Sequence, residues 1–235
     1  MFYTRRSMTT PRIGFCCKWI DDSGITVPEL NCRATTVAWL NRQTRDVAVE
    51  RLWDIVKHNI SSALNLVTRV GEYDEPLRMV RLGSDILPMY TEPTWRWFYQ
   101  QPDVRAYADK HFAAVGRLAR QLDVRLSFHP GQFCVLASDN ADIVRRSIEE
   151  FEYHVDMARW MGYGKEFQDF KINVHIAGKR GPQGIRDVYG KLSPEARNTI
   201  TIENEEISYG LGDCLDIGDL VPVVLDIHHN WCREG

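Results

Sequence analysis

Ser127-Phe128-His129-Pro130-Gly131-Gln132-Phe133 is the stretch whose reading decides the fold. Just upstream, Val124, Leu126 and Phe128 alternate with Arg125 and Ser127, the period of a strand. Pro130-Gly131 then stops that strand. His129 therefore sits where a strand runs into a loop, the place where an α/β barrel keeps its chemistry. The pattern recurs three times downstream. His175 ends Lys171-Ile-Asn-Val-His-Ile176, Glu203 ends Thr199-Ile-Thr-Ile-Glu203, and Asp226 ends Val221-Pro-Val-Val-Leu-Asp226 with His229 just beyond. Four successive strands ending in His, His, Glu and Asp-x-x-His converge on one rim.

The remaining chain fits an alternation of strands and helices. Arg12-Ile-Gly-Phe-Cys-Cys17 reads as a first strand and Met79-Val-Arg-Leu82 as a second. Residues 1–11 read as a frayed lead-in, and 18–44 as a long polar loop with a turn at Asp21-Asp-Ser-Gly24. Thr44 caps a helix near 45–70, whose Val47, Leu52, Ile55, Val56, Ile60, Ala63 and Leu64 fall at helical spacing. Helices follow over about 103–121 and 140–161, the latter capped by Asp139 or Asn140. Weaker helical signals lie near 184–192 and 213–219. The aromatic stretch 88–102 has two readings, a base-stacking surface or a loop whose rings pack inward. Six β-α units in sequence imply a parallel sheet, with right-handed crossovers giving a barrel or a doubly wound fold. No Gly-x-Gly-x-x-Gly turn follows a strand, which argues against a dinucleotide fold. The expectation is a TIM-type (β/α) barrel with about six of eight units, a single domain over 1–235 that lacks its last strands. Its open edges would favour aggregation or dimerisation.

Composition excludes more than it selects. A net charge of −3 gives no global signal for nucleic acid, so any such contact must come from a local patch. No run of about 18 apolar residues is present, and Met1-Phe-Tyr-Thr-Arg-Arg-Ser7 has no apolar stretch after its basic residues. The six cysteines are scattered, and they read as reduced thiols of a cytoplasmic protein with no zinc-knuckle spacing.

Imidazoles and carboxylates in this mixture are the ligand set for Zn²⁺ or Mn²⁺. Two histidines, a glutamate and Asp-x-x-His can hold more than one ion with Glu203 as the bridge. Such a pair of ions suits phosphodiester cleavage, and the same ligands serve sugar isomerases or epimerases, so ligand chemistry alone leaves both open. Buried polar networks at strand ends are the non-catalytic alternative. His58, His111 and His154 fall inside helical segments and read as surface or packing residues. His228 would point away from His229 in an extended segment and is not counted as a ligand. Lys179 and Arg180 lie in a glycine-rich loop suited to phosphate contact or simply to solvent.

Six motifs occur in order: Arg12-Ile-Gly-Phe-Cys-Cys17, Arg81-Leu-Gly-Ser-Asp85, Ser127-Phe-His-Pro-Gly-Gln-Phe133, Val174-His-Ile-Ala-Gly178, Ile202-Glu-Asn-Glu205 and Leu225-Asp-Ile-His-His229. Together they resemble the ultraviolet-damage endonuclease family, a metal-dependent barrel related to an apurinic endonuclease and to xylose isomerase. The resemblance runs from about residue 12 to the end. It implies a DNA repair endonuclease that nicks damaged double-stranded DNA 5′ of a photolesion, using Mn or Zn, with two or three ions in the intact enzyme. His129, His175, Glu203, Asp226 and His229 are carried over as metal ligands, with Glu203 and His129 as the catalytic pair. Gln132 matches a glutamine wedged opposite a flipped lesion, and Phe133 and Phe15 stand where relatives carry tyrosines; Lys179 and Arg180 complete the DNA-facing set. Asp85 stands where some relatives place a metal-binding histidine. The family continues for two more strands bearing a lysine, two histidines and a glutamate, which implies a weakly active or inactive form here. A damaged-DNA binding module that does not cut is the remaining alternative.

Overall fold

The computed structural model describes residues 11–235, so the lead-in expected at the N-terminus lies almost wholly outside the described residues. The strands are β1 (Phe15–Cys16), β2 (Met79–Arg81), β3 (Arg125–Phe128), β4 (Lys171–His175), β5 (Ile200–Glu203) and β6 (Val223–Val224). The helices are α1 (Val37–Leu40), α2 (Arg45–Gly71), α3 (Pro102–Gln121), α4 (Ala141–Trp160), α5 (Gly181–Tyr189), α6 (Pro194–Thr199), α7 (Leu211–Leu215) and α8 (Ile227–Glu234). All six strands are parallel, and each lies beside its neighbour in sequence, in the order β1-β2-β3-β4-β5-β6. A doubly wound sheet reverses its strand order at a switch point. No reversal occurs here, so the strands are arranged as the staves of an α/β barrel.

Local chemistry fixes the element ends. The Thr44 hydroxyl accepts the Val47 N–H at 3.4 Å and opens α2. Asn140 Oδ1 accepts the N–H groups of Asp142 and Ile143 and opens α4. Along α2 the buried positions Ala48, Leu52, Ile55, Val56, Ile60, Ala63, Val67 and Val70 form one stripe facing the core. On β3, Leu126 and Phe128 are buried while Arg125 and Ser127 are half-exposed, the alternation that places His129 at the rim. Helices α3 and α4 approach so closely that a Cβ on Gly116 would lie 1.9 Å from the Met161 carbonyl oxygen.

The structure decides one open reading and changes other expectations. The aromatics of 88–102 pack inward: Trp95, Phe98 and Tyr99 are buried and Tyr90 stacks on Tyr153 with ring centroids 4.8 Å apart. Burying these rings removes more apolar surface from water than a stacking platform would. A helix, α6, stands where no helix was expected, opened by the Ser193 hydroxyl and by Pro194 at its first position. Last, the segment after β6 is helical rather than extended, because the Asp226 carboxylate accepts the His229 N–H at 2.9 Å and caps α8. Among the described residues no helix is long and apolar enough to cross a membrane.

Candidate metal centre

The rim residues meet. His175 and Glu203 are direct partners in the parallel register of β4 and β5, so their side chains emerge together. His129 Nε2 lies 3.3 Å from Glu203 Oε2, and the His129 and His175 rings are 4.8 Å apart centre to centre. One potential donor atom each from His129, His175 and Glu203 falls within a 4.8 Å span, and the same holds for Glu203, Asp226 and His229. Glu203 thus belongs to both groups, at 5% exposure. Asp85 belongs to neither group.

Hydrogen bonding sets the tautomers. His129 Nδ1 lies 2.7 Å from the Pro130 carbonyl, which can only accept, so Nδ1 carries the proton. In the neutral imidazole the lone pair on Nε2 then faces a carboxylate oxygen at 3.3 Å, an acceptor against an acceptor. A cation between them removes that repulsion. Two donors each about 2.1 Å from one ion and at roughly right to tetrahedral angles stand about 3.0–3.4 Å apart, which is the separation found here. The donor set therefore fits a divalent ion. His229 Nδ1 likewise donates to the Asn204 carbonyl at 3.0 Å, and it sits 3.9 Å from both Glu203 Oε1 and Asp226 Oδ2. An ion bound through that nitrogen must displace the Asn204 hydrogen bond.

Electrostatics favour the ligand forms. Burial, followed by the neighbouring His129, pushes the His175 imidazole below its ordinary range and keeps it neutral. Burial pushes the Asp226 carboxyl up, but the His229 N–H, the His229 ring, Glu203 and the His228 N–H together outweigh it and hold the carboxyl below the usual range.

Two supporting residues carry no signal as ligands in the sequence. Asn204 is fully buried; its Nδ2 donates to the Asp226 carbonyl at 3.0 Å and its Oδ1 accepts the Asp226 N–H at 2.8 Å. Tyr153, on α4, accepts the Leu87 N–H at 3.0 Å and donates to the Ser84 carbonyl at 2.8 Å, while the Ser84 hydroxyl donates to the His129 carbonyl at 2.5 Å. The loop after β2 is thereby wired to the end of β3. The motif Ile202-Glu-Asn-Glu205 contains Asn204, and its place beside the candidate ligand Glu203 is all that marks it in the sequence.

The expected DNA-facing residues are dispersed around this rim. Gln132 is exposed and Phe133 is 85% exposed, in the loop that follows His129. Phe15 is half-buried and meets Trp19 edge-on with centroids 5.2 Å apart. Lys179 Nζ donates to Asp139 at 3.0 Å, and Arg180 pairs with Asp187, so both cations already have acidic partners. His58 contacts the carbonyls of Pro28 and Asn31, His111 stacks on Tyr107, and His154 is fully buried.

Comparison with known proteins gives the family and the fold. The profile described as UV-endonuclease UvdE matches residues 11–234. A UV DNA damage endonuclease from Bacillus velezensis is 28% identical over 208 residues, covering 86% of this chain and 62% of that protein. A UV-damage endonuclease from Neurospora crassa is 28% identical over 174 residues, covering 68% of this chain and 26% of that protein. The crystal structure of SacUVDE superposes with a TM-score of 0.75 at 21% identity, covering 94% of this chain and 71% of that one, and so shares the fold. The chain spans about 62% of the length of the Bacillus relative. With all but one of the described residues inside the profile match, the chain belongs to the UV-endonuclease UvdE family.

Proposed function

We propose that this chain carries the catalytic rim of a metal-dependent DNA repair endonuclease that cuts the phosphodiester 5′ of ultraviolet photolesions and related damage in double-stranded DNA. The observation that supports this most is the sharing of Glu203 between a His129–His175 group and an Asp226–His229 group at one sheet end. His129, His175 and Glu203 would hold one divalent ion, Mn²⁺ or Zn²⁺, and Glu203, Asp226 and His229 a second. Ions held this way would supply Lewis-acid charge suited to activating water and offsetting the charge developing on the phosphate.

The protein's own groups prepare the site for that chemistry. Pro130 holds the His129 tautomer, and Asn204 fixes Asp226 on the rim. Glu203, buried and shared, serves with His129 as the catalytic pair. Gln132 and Phe133 project into solvent from the loop after His129, where they would fill the gap left by a flipped lesion. Phe15, Lys179 and Arg180 would contact the lesion and flanking phosphates once the two cations exchange their acidic partners for DNA. One α/β domain in the cytoplasm, acting without an obligate protein partner, completes the proposal.

The test is nicking of ultraviolet-irradiated plasmid in Mn²⁺ or Zn²⁺, with end-labelled duplex to place the cut. Lesion-dependent cutting that disappears in Glu203→Gln supports the reading. Equal cutting of irradiated and intact plasmid, or full activity in Glu203→Gln, would refute it.

A further inference from the structure

A second constellation of metal-binding side chains lies outside the rim set. Glu206, in the loop after β5, and His228 and Cys232, one turn apart on α8, each present a ligand atom within a common 4.8 Å span. Cys232 Sγ stands 3.7 Å from His228 Nε2. A nitrogen about 2.05 Å and a sulfur about 2.3 Å from one tetrahedral ion stand about 3.6 Å apart, so the pair is already at bonding separation for a shared cation. All three residues are exposed, and the Cys232 thiol is in no disulfide. The two elements are independently held together: Arg233 on α8 donates to the Ile207 carbonyl at 2.8 Å, next to Glu206 in the chain. Thus the donors come from a pre-set frame rather than from free loops.

We propose that Glu206, His228 and Cys232 bind a zinc-class divalent cation that staples α8 to the loop after β5, at a site sharing no residue with the rim centre. Thiolate sulfur with imidazole nitrogen selects zinc-class ions over magnesium or calcium. On binding, the thiol releases its proton to solvent, sulfur and imidazole nitrogen donate lone pairs to the ion, and a solvent molecule takes the fourth position. Glu206 also stands 3.8 Å from His229 Nε2, so an ion here draws that carboxylate away from a rim ligand. This inference does not depend on the nuclease reading, because it concerns occupancy and not cutting.

Cobalt titration of the reduced full chain tests it. The rim groups offer only nitrogen and oxygen, so a sulfur-to-cobalt charge-transfer band reports a thiolate ligand alone. The expected result is a band that saturates at one cobalt per chain in the wild type, persists in Glu203→Gln and vanishes in Cys232→Ser. In His228→Ala the affinity should fall by at least the roughly hundredfold that loss of an outer-shell partner can cost. Unchanged circular dichroism in Cys232→Ser, a surface substitution, excludes unfolding as the cause. A wild type without the band, a band that survives Cys232→Ser, or a His228→Ala protein with undiminished affinity overturns the proposal.

Discussion

Asn204 grips Asp226 from both sides, donating to its carbonyl at 3.0 Å and accepting its N–H at 2.8 Å. The side chain thus continues the β5–β6 ladder beyond the last paired residues, Glu203 and Val224. Asn204→Ala leaves the Asp226 N–H unpaired and its carbonyl with the Asn230 N–H alone, and should cost about 2 kcal/mol of stability. Metal affinity should fall with it, because Asp226 and His229 lose their fixed position. Urea unfolding and metal titration measure the two effects; an Asn204→Ala protein with wild-type values of both refutes the role.

The acceptor-against-acceptor contact of His129 and Glu203 predicts a trade-off. In metal-free protein with His129 neutral, Glu203→Gln replaces a carboxylate oxygen with an amide that can donate to His129 Nε2. The variant should be more stable by about 1 kcal/mol while binding metal poorly. Thermal unfolding after chelation reads the first effect and elemental analysis the second.

His154 sets an acid limit. It is fully buried, its Nε2 has no hydrogen-bond partner, and burial pushes its imidazole down to about 4 from an ordinary 6.5. Between those values the unfolded chain binds the proton and the folded chain does not, so stability is intact above 6.5 and declines as pH falls toward 4. The full difference corresponds to about 3 kcal/mol. His154→Leu should flatten the slope; Glu150, whose carboxyl is pushed up by burial, contributes in the opposite sense in both proteins. Denaturant midpoints across this pH interval, compared between wild type and variant, isolate the histidine.

Phe133 contributes little to stability at 85% exposure. Phe133→Ala should leave the melting temperature unchanged and weaken binding to a lesion-bearing duplex by roughly tenfold, the scale of one lost base stack. Equal affinities in a fluorescence anisotropy titration would remove it from the interface.

Asp139 and Asp187 restrain the two loop cations. Asp139→Asn should free Lys179 and raise affinity for undamaged duplex at low salt, with a salt dependence steeper by about one counterion. A binding curve that is insensitive to this change places Lys179 away from the phosphates.

The sequence made the rim legible because the residues that build strands and those that bind ions alternate in type. Ile172, Val174, Ile200 and Ile202 mark their strands by β-branching and burial, and His175 and Glu203 follow directly. What was hidden depended on contacts between distant residues. Tyr90 and Tyr153 stack across a separation that periodicity does not register. The turn from β6 into α8 rests on one Asp226 cap, and an extended reading of that segment sent His228 away from any partner. In a helix His228 and Cys232 share a face, so His-x-x-x-Cys was the signal for the second cluster. Asn204 reads as an ordinary polar loop residue until Asp226 is seen against it.

The in-order parallel sheet has a consequence for how the molecule senses its ligands. Each strand pairs only with its sequence neighbours, while every rim donor comes from residues 129–229. Ion binding therefore reports on the assembly of the C-terminal four strands, reaches β2 through the Ser84–His129 hydrogen bond, and leaves β1 without a direct link to a donor. In hydrogen exchange, added metal should slow amides from β2 through α8 by mass action, and the β1 amides should keep their metal-free rates, dividing one continuous sheet into a ligand-clamped part and an edge that breathes on its own.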